Sequence, residues 1–187
     1  FFALNEETIW FAAFLPFDGG LFRSTNKGLN WDRQYDAGSA PNPDHVYMYN
    51  GRIGFMTRTG SGTYLYKTTN SGVNWFTIPG GVYSDIYFLD SLTGWKSDPT
   101  PPASMKKTTD GGLNWTNQIL PVGGIILTSN INKFNVLNKD TLWGAGGQVF
   151  YGGGKRRGML YRTTNGGGNW LFQIPDTSFG ILGFGKV

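Results

Sequence analysis

One eight-residue pattern, written four times, constrains this chain more than any other feature. Its copies are Ser24-Thr25-Asn26-Lys27-Gly28-Leu29-Asn30-Trp31, Thr68-Thr69-Asn70-Ser71-Gly72-Val73-Asn74-Trp75, Thr108-Thr109-Asp110-Gly111-Gly112-Leu113-Asn114-Trp115 and Thr163-Thr164-Asn165-Gly166-Gly167-Gly168-Asn169-Trp170. A period of this size belongs to architectures that stack one supersecondary unit on the next. In every copy an Asn or Asp stands two residues ahead of a Gly. The short polar side chain bonds backbone N–H groups further along, and Gly takes positive φ without steric cost. Asn26, Asn70, Asp110 and Asn165 therefore hold the turn of a β-hairpin, with Gly28, Gly72, Gly112 and Gly167 left-handed. Trp31, Trp75, Trp115 and Trp170 open the following strand, where each ring is expected to be buried between neighbouring sheets. Losing such a ring costs roughly 3–5 kcal/mol. The motif reads as scaffold, not site.

A second repeat runs in phase with the first. Leu4-Asn5-Glu6-Glu7-Thr8-Ile9-Trp10 matches Leu89-Asp90-Ser91-Leu92-Thr93-Gly94-Trp95 and Leu137-Asn138-Lys139-Asp140-Thr141-Leu142-Trp143, with a weaker copy at Tyr49-Asn50-Gly51-Arg52-Ile53-Gly54-Phe55. Each reads as strand, tight turn, strand. The unit is then strand A, turn, strand B, loop, strand C, repeated turn, strand D, expected over 1–36, 45–79, 83–121 and 132–175. The two turns keep their lengths. The B–C loop varies, because Trp10 to Trp31, Phe55 to Trp75 and Trp95 to Trp115 span 21, 20 and 20 residues but Trp143 to Trp170 spans 27. The D–A loop varies too: Trp31 to Phe55, Trp75 to Trp95 and Trp115 to Trp143 span 24, 20 and 28. In an antiparallel four-stranded unit both variable loops emerge at one end, and function on a rigid scaffold usually lives on such loops.

Ser/Thr-x-Asp-x-Gly-x-x-Trp resembles the Asp-box, or bacterial neuraminidase repeat. Three copies carry Asn for its Asp, and all carry Asn before the Trp where many members have Thr. The resemblance implies an all-β fold, a β-propeller segment of four-stranded antiparallel blades with the box between the third and fourth strands, away from any active site. The form Thr-Thr-Asn/Asp-Gly-Gly-x-Asn-Trp is most similar to propellers of the photosystem II assembly-factor type and to secreted bacterial repeat proteins. Sialidases, xyloglucanases, sortilin-type receptors and assembly factors share the box, so it does not select a function. It does imply an extracellular, cell-surface or periplasmic location. The tail at 179–187 reads as the first strand of a fifth blade, and the chain opens on Phe1 instead of Met. A segment of a larger propeller is expected, with an upstream part removed or not represented and with open blade edges prone to self-association.

Composition agrees with a turn-rich all-β protein: 29 Gly, 9 Pro and 16% aromatic residues in 187. A formal charge of +4 suits an acidic partner, yet no dense Lys/Arg stripe appears, so nucleic acid is not expected. The absence of Cys excludes disulfides and thiolate metal sites. No apolar run approaches the ~20 residues of a membrane helix. No cofactor and no metal are expected.

The strongest local anomaly is the stretch Gly144 to Gly158, read as a flexible Gly-rich B–C loop. Its Lys155, Arg156 and Arg157 can meet a carboxylate, a phosphate or an acidic protein surface, and Tyr151 can stack on a ring. Arg58 and Asp98, beside B–C loops, complete the candidate ligand set. Gly154-Lys155 is followed by Arg with no helix beyond, which excludes a phosphate-cradling loop. Glycosidase chemistry needs two positioned carboxylates. Glu6 and Glu7 sit in an A–B turn at the wrong end, while Asp36, Asp44 and Asp98 lie in or beside variable loops. A sialidase would add an arginine triad and an Arg-Ile-Pro motif; Arg52-Ile53-Gly54 is not that motif, and Arg23 and Arg162 belong to the repeated C strand. The lone His45 reads as a loop residue bonding locally. No catalytic residue is assigned. The expected function is a non-enzymatic scaffold binding a protein or glycan through its variable loops. The alternatives are part of a glycoside hydrolase whose catalytic residues lie largely outside the chain, an assembly factor for a membrane complex, and a structural surface protein.

Overall fold

A computed structural model of the chain describes residues 1–13, 19–38, 42–58, 64–99, 104–150 and 152–174. Among them there is no helix, and the strands form four antiparallel sheets. The first holds β1 (Phe2–Ala3), β2 (Ile9–Ala13), β3 (Gly20–Ser24) and β4 (Asp32–Asp36), hydrogen-bonded in that order. The second holds β5 (Pro43–Met48), β6 (Gly54–Arg58), β7 (Tyr64–Thr68) and β8 (Phe76–Ile78). The third holds β9 (Asp85–Phe88), β10 (Gly94–Asp98), β11 (Ser104–Thr108) and β12 (Thr116–Gln118). The fourth has five strands: β13 (Ile126–Thr128) and β14 (Lys133–Val136) both pair β15 (Leu142–Phe150), which pairs β16 (Arg156–Thr163), which pairs β17 (Leu171–Gln173). The expected fifth first strand at 179–187 lies outside the described residues.

The repeated sequence explains the repeated turn atom by atom. The Oγ of Ser24, Thr68 and Thr163 accepts the amide of the glycine four residues on, Gly28, Gly72 and Gly167, at 2.9, 2.9 and 3.0 Å. That hydroxyl, and Thr108's likewise, donates to Asn26, Asn70, Asp110 and Asn165 at 3.0, 3.1, 2.8 and 2.9 Å. The side-chain oxygens of Asn26, Asn70 and Asn165 accept Asn30, Asn74 and Asn169 N–H. The residue before each of these glycines is left-handed as well: Lys27 (φ 61°), Ser71 (64°), Gly111 (72°) and Gly166 (67°). Its amide reaches the A–B turn of its own sheet, bonding Glu7, Arg52, Leu92 and Asp140 carbonyls at 3.0, 2.9, 2.8 and 2.8 Å. Each A–B turn is closed in turn by Asn5, Asn50, Asp90 or Asn138, whose oxygen accepts two backbone amides. The amides of Thr93 and Leu92 hold the Asp90 carboxyl below its ordinary range. Both constant turns therefore share one end of every sheet, and the B–C and D–A connections share the other. Thr68→Val keeps the shape but strands the buried Gly72 amide. A loss of about 2 kcal/mol is expected in urea unfolding, with Thr68→Ser, the natural choice at position 24, recovering most of it.

The chain divides into two compact units, Phe1–Val82 with Gly112–Asn114, and Tyr83–Gly111 with Trp115–Val187. In the first, Trp10 and Leu21 of one sheet pack on Val46, Met48 and Met56 of the other. In the second, Trp95, Met105 and Leu120 pack on Ile131, Val136, Leu142, Val149, Met159, Tyr161 and Trp170.

One expectation about this packing is corrected. Of the repeated-turn indoles only Trp170 is buried; Trp75 and Trp115 are half-buried and Trp31 is 39% exposed. Each opens the outermost strand of its sheet, where one side lacks a paired strand. Trp31 and Trp75 lie over their own turn glycines: a Cβ on Gly28 or Gly72 would stand 3.4 or 3.5 Å from the ring. The fully buried anchors are instead the strand-B aromatics Trp10, Phe55 and Trp95, which have strands on both sides.

Candidate functional site

The variable end of the fourth sheet is not the flexible loop that its glycines suggest. β15 and β16 continue as a paired ladder from Leu142↔Thr163 to Phe150↔Arg156, and at the tip Lys155 N–H donates to the Gly152 carbonyl at 3.1 Å. The preceding D–A connection returns to stiffen it, with Ile126 opposite Val149 and Phe150 N–H donating to Ile125 at 2.7 Å. The register slips at Gly146 and Gly147 (φ 158° and 59°). Glycine is needed there for close approach, because a Cβ on Gly147 would meet the Tyr161 hydroxyl, Met159 Cε (2.6 Å) and the Thr128 carbonyl (2.7 Å).

Strand pairing also divides the three adjacent cations. Arg156 is exposed and stands opposite Phe150, itself 43% exposed; Arg157 stands opposite the buried Val149. Successive strand residues face opposite sides, so these guanidinium groups do not form one cluster. Lys155 is exposed at the tip, and Tyr151 lies outside the described residues.

Arg58 ends β6 and is engaged inside its own unit. Its Nη1 donates to the Tyr66 hydroxyl at 2.7 Å and to the Tyr35 hydroxyl, and its guanidinium lies 5.5 Å from both ring centroids. Burial pushes the Tyr35 phenol up. This clamp makes Arg58 a tie between two sheets before it is a ligand.

The carboxylates are likewise committed. Asp36 pairs with Arg33 at 3.2 Å and caps Gly38 N–H at 2.9 Å. Asp44 accepts Thr57 Oγ1–H at 2.5 Å and lies 3.5 Å from His45 Nδ1. Burial raises its pKa, but hydrogen bonds from His45 and Thr57 outweigh that and leave it lowered. His45 therefore bonds locally, within strand β5 and not in a loop. Asp98 ends β10, 5% exposed, with Lys106 Nζ at 2.7 Å and Lys96 Nζ at 3.9 Å. Lys96 is fully buried, 5.3 Å over the Trp115 ring. Desolvation lowers its pKa to about 8, the pull of Asp98 notwithstanding. A near-neutral amine suits nucleophilic chemistry, but no surface of this one is open to a substrate. Among the described residues no group of three His, Cys, Asp or Glu can hold a metal ion. The sequence had given no sign of the Tyr35–Arg58–Tyr66 clamp or of the buried Lys96, since neither belongs to either repeat.

No family model and no curated protein matches the chain. Solved structures do. An ancestral GH74 enzyme superposes with TM-score 0.64 at 16% identity, over 90% of this chain and 24% of its own. The GH74 xyloglucanase from Xanthomonas campestris gives 0.59 at 17%, over 84% of this chain and 27% of its own. The chain is built of β-propeller blades. It spans about a quarter of the length of those two enzymes. YCF48 bound to D1 peptide also aligns, with TM-score 0.47 at 14% identity over 90% and 78% of the two chains, too loose a likeness to argue from.

Proposed function

We propose that this chain is part of a non-enzymatic propeller, outside the cytoplasm, that binds a protein or glycan through the end carrying its B–C and D–A connections, and that its four turns are Asp-boxes. The observation behind this reading is the long β15–β16 hairpin, held out by β13 and carrying exposed Lys155, Arg156 and Phe150. A rigid, cationic, partly aromatic projection suits recognition of an acidic surface. Asp36, Asp44 and Asp98 each being held by their own partners supports the non-enzymatic side, because a glycosidase needs one carboxyl protonated opposite one that is not. Immobilised acidic peptides and acidic glycans are the test. Lys155→Ala with Arg156→Ala should weaken capture at least about tenfold, whereas Arg157→Ala should matter less. Equal binding by both variants removes the hairpin from the site.

A second reading is favoured by the GH74 enzymes above: the blades are a piece of a larger xyloglucan-acting hydrolase. Retention of neutral xyloglucan oligosaccharides, indifferent to the Lys155 and Arg156 changes, would favour it over the first.

A further inference from the structure

The sequence contains two Asn-Gly pairs, Asn50-Gly51 in the A–B turn of the second sheet and Asn165-Gly166 in the repeated turn of the fourth. An Asn followed by Gly is open to attack by its own main chain, because no side chain crowds the next amide nitrogen. The fold treats the two pairs oppositely. Gly166 is buried, and its N–H donates to the Asp140 carbonyl at 2.8 Å. The other repeated turns guard the same bond: Lys27, Ser71 and Gly111, each following an Asn or Asp, donate their amides to Glu7, Arg52 and Leu92. Gly51 is exposed, and its N–H meets no acceptor among the described residues. A Cβ there would find nothing nearer than Leu4, at 3.8 Å.

The group under attack is prepared as well. Asn50 is exposed, and its Oδ1 accepts the N–H groups of Arg52 and Ile53, both at 2.8 Å. Negative charge that develops on this oxygen when Cγ is attacked falls between two backbone donors, which stabilise it as an oxyanion hole does. The equivalent turns have this cradle without a matching nucleophile or electrophile. Asn5 and Asn138 are followed by Glu6 and Lys139, whose side chains crowd the nitrogen, and Asp90 offers a carboxylate, which resists attack.

We propose that Asn50 is a site of spontaneous covalent modification in the folded chain. The Gly51 nitrogen, deprotonated by hydroxide, bonds to Asn50 Cγ. The Cγ–Nδ2 bond breaks, and Nδ2 takes a proton from water and leaves as ammonia, closing a succinimide. Water then opens the ring, so that one water is consumed and one ammonia released overall. Opening at Cγ restores the main chain with an aspartate. Opening at the main-chain carbonyl leaves an isoaspartate, whose main chain is one carbon longer. The aspartate fits the turn, since Asp90 accepts the corresponding amides of Leu92 and Thr93 at 2.7 Å. The isoaspartate shifts Arg52, whose carbonyl accepts Ser71 N–H at 2.9 Å, and Ser71 in turn accepts Arg23 Nη1 of the first sheet at 3.0 Å. That product therefore loosens a tie between the first two sheets. The proposal rests on turn geometry and not on the hairpin reading above.

Peptide mass spectrometry of the chain held in mildly alkaline buffer, folded and in urea, tests it, with enzymatic isoaspartate methylation separating the products. In the folded chain Asn50 should convert at least about tenfold faster than Asn165, whose attacking amide is buried and hydrogen-bonded. In urea the two rates should converge, because that protection is lost. Asn50→Asp should unfold at the same urea concentration as the wild type, and amide exchange at Ser71 should accelerate in the isoaspartate fraction alone. An Asn50 that stays intact in the folded chain, equal folded rates at the two sites, a gap that persists in urea, or a Ser71 amide indifferent to isoaspartate would each overturn the proposal.

Discussion

Gly147→Ala is expected to cost about 3 kcal/mol of unfolding free energy, while Gly153→Ala, a few residues away, should cost about 1 kcal/mol. Both glycines are left-handed, at φ 59° and 57°, so backbone strain is common to the two substitutions. They differ in surroundings. A Cβ at position 153 meets nothing within 4 Å, whereas at 147 it runs into the Tyr161 hydroxyl, Met159 Cε and the Thr128 carbonyl. Tyr161 and Met159 are fully buried in the core of their unit, and Thr128 belongs to the strand that stiffens the hairpin. The backbone carbonyl cannot swing aside as a side-chain end would. Urea unfolding of the two variants measures the gap, and equal losses would mean that the D–A connection does not press on the bulge. The same change should loosen β13 from β15, so amide exchange at Phe150, bonded to Ile125, should accelerate in Gly147→Ala alone.

That bulge is also where reading the sequence stopped short. The constant turns were legible because their chemistry is local: Asn5 or Thr68 finds its hydrogen-bond partners within four residues, and spacing alone then put the variable connections at the opposite end. Gly144, Gly146 and Gly147 looked like slack. A Cβ on Gly144 would stand 2.8 Å from Ile131, a residue thirteen positions earlier, and no local pattern announces such an approach. The cations fared likewise. Lys155, Arg156 and Arg157 are one charge cluster only if the segment is irregular; once β16 begins at Arg156, strand alternation sends the two arginines to opposite faces. The turn tryptophans erred in the other direction. Their recurrence was legible, but burial depends on what covers the outermost strand that each of them opens, and the four copies differ in that.

Lys96→Met should stabilise the chain at neutral pH and lose that advantage as pH rises. In the folded chain the amine pKa falls from 10.5 to about 8, first through desolvation and further through Lys106, with Asp98 opposing. A basic group lowered by folding makes the unfolded state bind more protons between those two values, so stability climbs with pH there. Below pH 8 the penalty is fully present; between 8 and 10.5 it fades as the folded chain stops paying for a buried charge. At ~1.4 kcal/mol per pKa unit the span is about 3 kcal/mol. Asp98 keeps Lys106 at 2.7 Å in the variant, so no carboxylate is stranded, and Met conserves the stem that fills the site beside Trp115. Chemical denaturation of both proteins at pH 7, 8, 9 and 10 isolates the effect, since every other titrating group is common to the pair. The wild-type curve should rise toward the variant's by about 2–3 kcal/mol over that range; a difference that stays flat would mean that Lys96 keeps its ordinary affinity for the proton and that its ion pair with Asp98 offsets burial.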